Sequence, residues 1–209
     1  MKIAIINETS AADRNADILA ALQGRGHDIF NVGMRKSGEQ PELQYIHTGF
    51  LSALLLNLKK VDLVVGGCGT GIGYMNSVMQ YPGVFCGLLL QPLDAWLFAQ
   101  INAGNCISLA LNQGYGWASG VNLGFIFDRF FEVEHGKGYP EHRREPQAAS
   151  REVLKEVSHT THKTMAEIIR NLPKSIVKPA LEFPGVLDLV DVDGLEDQEI
   201  KAAINHWVQ

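Results

Sequence analysis

The run Gly67-Cys68-Gly69-Thr70-Gly71-Ile72-Gly73 holds the residues of this chain best suited to chemistry. Glycine at every second position lets the backbone turn tightly and brings several N–H groups toward one point. If a helix starts near Gly71, its N-terminus adds a positive end. Such a setting receives an anion or a developing oxyanion. It also lowers a thiol pKa, from about 8.5 toward about 3.5–7.5, so that a thiolate becomes available as a base. Cysteine also suits a small buried position at a strand end, and spacing alone leaves both readings of Cys68 open. Two other motifs do not fit. A P-loop ends in Gly-Lys-Ser/Thr, which this run lacks. A dinucleotide fingerprint follows the first strand, where this chain has Asn7-Glu8-Thr9.

Strand and helix patterns alternate around this run. Residues 2–6 read as a buried strand, and Thr9 or Ser10 can cap a following helix whose apolar positions include Ile18, Leu19 and Leu22. Residues 27–32 read as a second strand. Pro41 suits a first helical position, with that helix running to about residue 60. Residues 61–66 form a third strand that enters the glycine run, and a short helix follows. Residues 84–90 and 105–111 read as the fourth and fifth strands, with helices over 92–103 and 117–131. This order predicts an α/β fold: a three-layer, open, parallel five-stranded sheet of Rossmann-like kind. Ligands on such sheets bind beyond the carboxyl ends of the strands. Residues 134–150 read as a loop, 148–172 as a long amphipathic helix and 195–208 as a last helix, with Pro173, Pro179 and Pro184 breaking the chain between them. We therefore expect an α/β domain over residues 1–146. A helical C-terminal extension over 147–209 would pack on that domain or on a dimer interface.

The bulk numbers agree with one folded domain plus an extension. The chain has 209 residues, 46% hydrophobic and 20% charged. A formal charge of −5 argues against a general nucleic-acid partner, which needs a basic face. The apolar start is too short for a signal peptide, and no run is long enough to span a bilayer. Cys68, Cys86 and Cys106 include no CxxC pair, so we expect reduced thiols in a cytoplasmic protein and no structural zinc. His159 and His162 share a helix face but lack a third ligand, and read as an exposed pair.

Lys2-Ile3-Ala4-Ile5, Cys68-Gly69-Thr70-Gly71-Ile72-Gly73, Pro82-Gly83-Val84, and Asn102 with Asn105 together resemble the type B ribose-5-phosphate and galactose-6-phosphate isomerase family. The resemblance covers roughly residues 1–144. It implies an aldose–ketose isomerase of small sugar phosphates that needs no metal or organic cofactor. It also implies a homodimer or dimer of dimers whose sites are shared between subunits. By that resemblance Cys68 moves a proton between C2 and C1, and Thr70 with the amides of Gly67, Gly69, Gly71 and Gly73 stabilises the enediolate. Tyr45 and Asn102 would contact the sugar.

The chain also departs from the family's pattern. The family's Asp-His after the first strand is Glu8-Thr9 here, which keeps a carboxylate for a sugar hydroxyl and loses an imidazole. The family's ring-opening His, just before the matching asparagine, is Ile101. Asp94 and His47 are the substitute acids we consider. The late arginine segment stands as Glu141-His142-Arg143-Arg144, with Arg143 and Arg144 as candidate phosphate ligands and a solvated charge cluster as the plainer reading. The leading expectation is a sugar-phosphate isomerase. The alternatives are an isomerase of a different, non-phosphorylated sugar, a sugar-phosphate-binding or partner subunit without turnover, and a flavodoxin-like flavin binder.

Overall fold

Successive side chains of a strand face opposite sides of a sheet. Ile3 and Ile5 of β1 (Lys2–Asn7) therefore enter one apolar layer, and Ala4 and Ile6 the other. The computed structural model describes residues 1–208. The further strands are β2 (Asp28–Asn31), β3 (Leu63–Cys68), β4 (Cys86–Leu89) and β5 (Cys106–Ala110). They form one sheet in the order β2-β1-β3-β5-β4, every pair parallel. β3 is buried along its whole length, as a central parallel strand covered on both faces must be, while β4 forms a half-buried edge. The fold is the three-layer α/β architecture expected.

The first layer holds α1 (Asn15–Leu22); the second holds α2 (Tyr45–Asn57) and α3 (Ile72–Val78). α4 (Pro92–Leu97) and α5 (Ser119–Phe131) join α1, and their Ala95, Leu123, Phe127 and Phe130 pack on Ile5, Val65 and Leu109. Beyond them run α6 (Arg144–Thr161), α7 (Met165–Asn171), α8 (Lys174–Leu181), α9 (Val186–Val190) and α10 (Gln198–Val208). α7 to α10 lie over α2 and share its core through Met165, Ile169, Val177, Leu181 and Ile204. Every residue of α2 from 47 to 55 is buried. A helix apolar on all sides must be enclosed, and here the sheet covers one side and the C-terminal helices the other.

Several boundaries differ from the sequence reading, each for a local reason. α2 begins at Tyr45, not near Pro41, because Gln44 and His47 form a reciprocal capping box around its first turn. Thr9 and Ser10 lie inside a 3₁₀ turn (Thr9–Arg14) instead of capping α1. α6 begins at Arg144, inside the segment read as loop, with Pro146 in the first turn, where a missing N–H costs nothing. The expected helix over 148–172 is interrupted, because Thr164 and Glu167 build a new capping box that starts α7. Pro179 lies within α8 and does not break it.

Candidate active site

The register places Cys68 level with Ala110, at the carboxyl ends of β3 and β5. The chain turns sharply there. A side chain at Gly66 would strike the Tyr74 ring at 2.4 Å, and Gly71 holds φ +75°, where a side chain would strike Leu88. Tyr74 fills the space left by Gly66. Its hydroxyl meets Ser52 Oγ at 2.7 Å and Cys106 Sγ at 3.4 Å, and burial pushes its phenol well above the ordinary range, so it stays protonated as a fixed prop under the loop.

Cys68 is 7% exposed, and its Sγ lies 3.9 Å from the Thr70 hydroxyl. A methyl group at Gly73 would sit 3.6 Å from that sulfur and 3.6 Å from the Tyr45 ring. Cys68, Thr70, Gly73 and the exposed Tyr45 are thus neighbours around one point. The Ile72 N–H donates to Thr70 Oγ1 at 3.3 Å. The next two N–H groups of that first helical turn, at Gly73 and Tyr74, have no intrahelical acceptor. Glu8 is buried and accepts a hydrogen bond from Ser10, whose Oγ accepts the Gly69 N–H at 3.1 Å. Asn112 donates to Ser10 O at 2.7 Å, and its own N–H donates to Gly69 O at 3.0 Å. Ser10 and Asn112 are therefore part of the constellation. Sequence reasoning passed over both, although each lies in a loop beyond the carboxyl end of a strand, where ligand-binding residues are to be sought. A cavity of about 290 Å³ opens beside Thr70, lined also by Ile72, Leu88, Leu90, Tyr115 and Asn122.

Two proposed acids have other duties. His47 Nδ1 accepts the Gln44 N–H at 2.8 Å, and its Nε2 lies 2.8 Å from Ser175 O, which fixes the proton on Nε2. Both nitrogens serve the main chain, one capping α2 and the other tying it to α8. Asp94 accepts the N–H groups of Leu90 at 2.9 Å and Gln91 at 3.1 Å, and so caps α4. A carboxylate holding two main-chain donors acts as a helix cap in this structure.

Asn102 falls elsewhere. It closes a π-helical turn (Phe98–Asn102) that precedes the amino end of β5. Cys106 to Ala110 spans roughly 13 Å of parallel strand, so Asn102 and Cys68 of one chain lie at opposite ends of the sheet. Asn102 lines a second cavity, of about 380 Å³, with Cys86, Phe98, Ile101, Gln147 and Arg151. The arginine segment is tied to this end, because Gly136 and Gly138 donate to Ala99 O and Gln100 O at 2.8 Å each. Arg143 is exposed, while Arg144 pairs with Glu141 at 3.0 Å. Among the described residues, no group of three His, Cys, Asp or Glu side chains is arranged to hold a metal ion, and no helix is long and apolar enough to cross a membrane.

The family model for ribose/galactose isomerases matches residues 3–144, which includes the glycine loop, Asn102 and Arg143. The chain belongs to that family. Its enzymes are sugar isomerases, and so is this one. Two solved structures match its whole length. A ribose-5-phosphate isomerase of Vibrio parahaemolyticus is 40% identical, with a TM-score of 0.92, over 100% of this chain and 99% of that one. A 4-deoxy-L-threo-5-hexosulose-uronate ketol-isomerase, crystallised with a tartrate, is 34% identical, with a TM-score of 0.93 and the same coverage. A shorter ribose-5-phosphate isomerase of Thermotoga maritima, 22% identical with a TM-score of 0.57, covers 71% of this chain and 97% of its own. That likeness concerns the fold alone. No curated protein matches the chain. The two full-length matches share the C-terminal helices, so the long form recurs in this family.

Proposed function

We propose that the enzyme interconverts an aldose and a ketose through an enediolate, with Cys68 as the base. The thiolate takes the C2 proton of the open-chain aldose, and charge collects on the C1 oxygen. Thr70 and the N–H groups of Gly73 and Tyr74 stabilise that oxygen. The thiol then returns the proton to C1, while the hydroxyl proton passes from O2 to O1. The observation that carries this reading is the meeting of a nearly buried sulfur, the Thr70 hydroxyl and the Tyr45 ring at the open end of β3. Glu8, held through Ser10, fixes the far side of the loop.

The site is completed by a second copy. Asn102 and Arg143 cannot approach Cys68 of their own chain, whereas a two-fold dimer can bring them to the partner's loop. Arg143 then meets the anionic end of the substrate, a phosphate in the first reading. The three free thiols suit a reducing, cytoplasmic setting.

One place in the chain favours a second reading of the substrate. None of the histidines lines either cavity, His47 is bound at both nitrogens, and Ile101 stands beside Asn102. A cyclic sugar needs a proton donor at its ring oxygen. In its unhydrated form a 4-deoxy-5-keto-uronate has no hydroxyl at C4 or C5 to close a ring on its C1 aldehyde, and that open form needs no such donor. The test is a panel of pentose phosphates, hexose phosphates and this uronate in heavy water. Exchange of the C2 proton with solvent, abolished in Cys68→Ala, is expected for at least one of them. Turnover that survives Cys68→Ala removes the assigned base, and exchange with the phosphates but not the uronate removes the second reading.

A further inference from the structure

The π turn that carries Asn102 has three consecutive carbonyls supplied with donors from one later segment. Gly136 N–H donates to Ala99 O and Gly138 N–H to Gln100 O, both at 2.8 Å. The third donor is the guanidinium of Arg151, in α6, whose Nη1 donates to Ile101 O at 2.8 Å. Its Nη2 donates to Gly136 O, also at 2.8 Å, so one side chain spans the turn and the segment that braces it. A methyl group at Gly136 would stand 3.0 Å from Nη2 and 3.3 Å from Ala103 Cβ, which leaves the guanidinium little room to move. Ala103 adopts a left-handed φ of 46° immediately after Asn102 and donates to Phe98 O at 2.9 Å. The backbone around Asn102 is thus unusual on both sides, as π turns at functional sites often are. Arg151 lines the same cavity as Asn102 and lies beyond the residues matched by the family model.

From these contacts we infer that Arg151 is a positioning residue for the isomerisation, acting through Asn102. The inference rests on the reading, given above, that Asn102 contacts the sugar. A planar fork satisfies two carbonyls at a fixed spacing, which an ammonium cannot reproduce. A positive charge at the carbonyl end of a helical segment is also favourable. Loss of the fork frees the Ile101 carbonyl and lets Asn102 drift, and a displacement of that size can cost roughly 100-fold in rate.

The test is a double-mutant cycle on the full-length enzyme. kcat and KM are measured for the wild type, Arg151→Gln, Asn102→Ala and the double variant, with thermal midpoints for each. Arg151→Gln is expected to lower kcat/KM by roughly 10- to 100-fold in the native background and by less than about threefold once Asn102 is alanine. Any fall in thermal midpoint should be alike in both backgrounds. Arg151→Lys, which keeps the charge and one bond, should recover part of the loss. If Arg151→Gln does not fold, the same cycle is run with Arg151→Lys, and the same non-additivity is expected. Equal losses in both backgrounds in an active enzyme would mean that Arg151 only stabilises the fold, and would overturn the inference alone. A wild type that turns over no sugar in the panel overturns the underlying reading, and this inference with it.

Discussion

The glycine loop after β3 and the π turn after α4 both present groups to an open cavity, but they are built by different means. The loop is held by the sheet: a central strand, glycines that admit Tyr74 beneath them, and Ser10 and Asn112 from the neighbouring strand ends. The π turn is braced from outside the sheet, by Gly136, Gly138 and the Arg151 side chain that reaches Ile101. The loop holds the proposed base and oxyanion donors, and its geometry is secured by the sheet. The turn holds Asn102, proposed to orient the substrate, and its geometry is secured by the segment leading into α6. The proposed chemistry thus stands on the sheet, and the proposed substrate contact on a turn braced from beside it.

The largest effect should come from the loop. Cys68→Ala is expected to cost about 10²- to 10⁴-fold in kcat with an unchanged circular dichroism spectrum. A smaller loss would move the base elsewhere and erase the contrast between the two regions.

Next comes the separation of the regions onto different chains. Cys68→Ala and Asn102→Ala subunits, each nearly inactive alone, should regain activity when unfolded together and refolded in equal amounts. About one site in four would then draw both intact residues from opposite chains of a symmetric dimer. No recovery would place Asn102 outside the site of its partner.

His47→Ala should affect stability and not chemistry. It leaves the Gln44 N–H and Ser175 carbonyl without their partner, so a loss of about 1–3 kcal/mol in chemical denaturation is expected, with kcat near the wild-type value. A large fall in kcat from a well-folded variant would return His47 to the site.

The smallest effect tests a place remote from both regions. His27 packs against Phe131 at 4.5 Å, and neither ring nitrogen has a hydrogen-bond partner. Burial, helped by the N-terminal and Arg25 charges, pulls its pKa below the ordinary 6.5. The unfolded chain then binds the proton more tightly, so this contribution to stability is complete above pH 6.5 and shrinks as pH falls through the lowered value. His27→Phe should flatten that slope in urea titrations carried out below pH 6.5. An unchanged slope would assign the acid sensitivity to other groups.

The sheet was readable in the sequence because parallel strands buried on both faces are near-continuous apolar runs, as residues 63–65 show. The loop was readable because its glycines and its cysteine are contiguous. Helix starts were less so. Pro41 obeys a valid local rule, yet the Gln44–His47 box decided where α2 begins. The capping duties of Asp94 and His47 were hidden for the same reason: capping is a hydrogen-bond pattern, and residue type does not distinguish a capping carboxylate or imidazole from a free one. The position of Asn102 depended on which end of β5 it precedes. Arg151 left no trace in the sequence, since its partner Ile101 is a main-chain carbonyl in a distant element.

The enclosure of α2 has a consequence for how this enzyme can change. With the sheet beneath and the C-terminal helices above, α2 offers no wet surface between residues 47 and 55 on which variation is harmless. Phe50, Leu51, Leu54 and Leu55 can be exchanged only for side chains of similar volume and polarity, and a gene shortened before α7 would leave that helix as a bare, adhesive ridge. The later helices therefore act as the lid of a strongbox, and through the Ser175–His47 bond that lid is fastened two residues from Tyr45 of the candidate site.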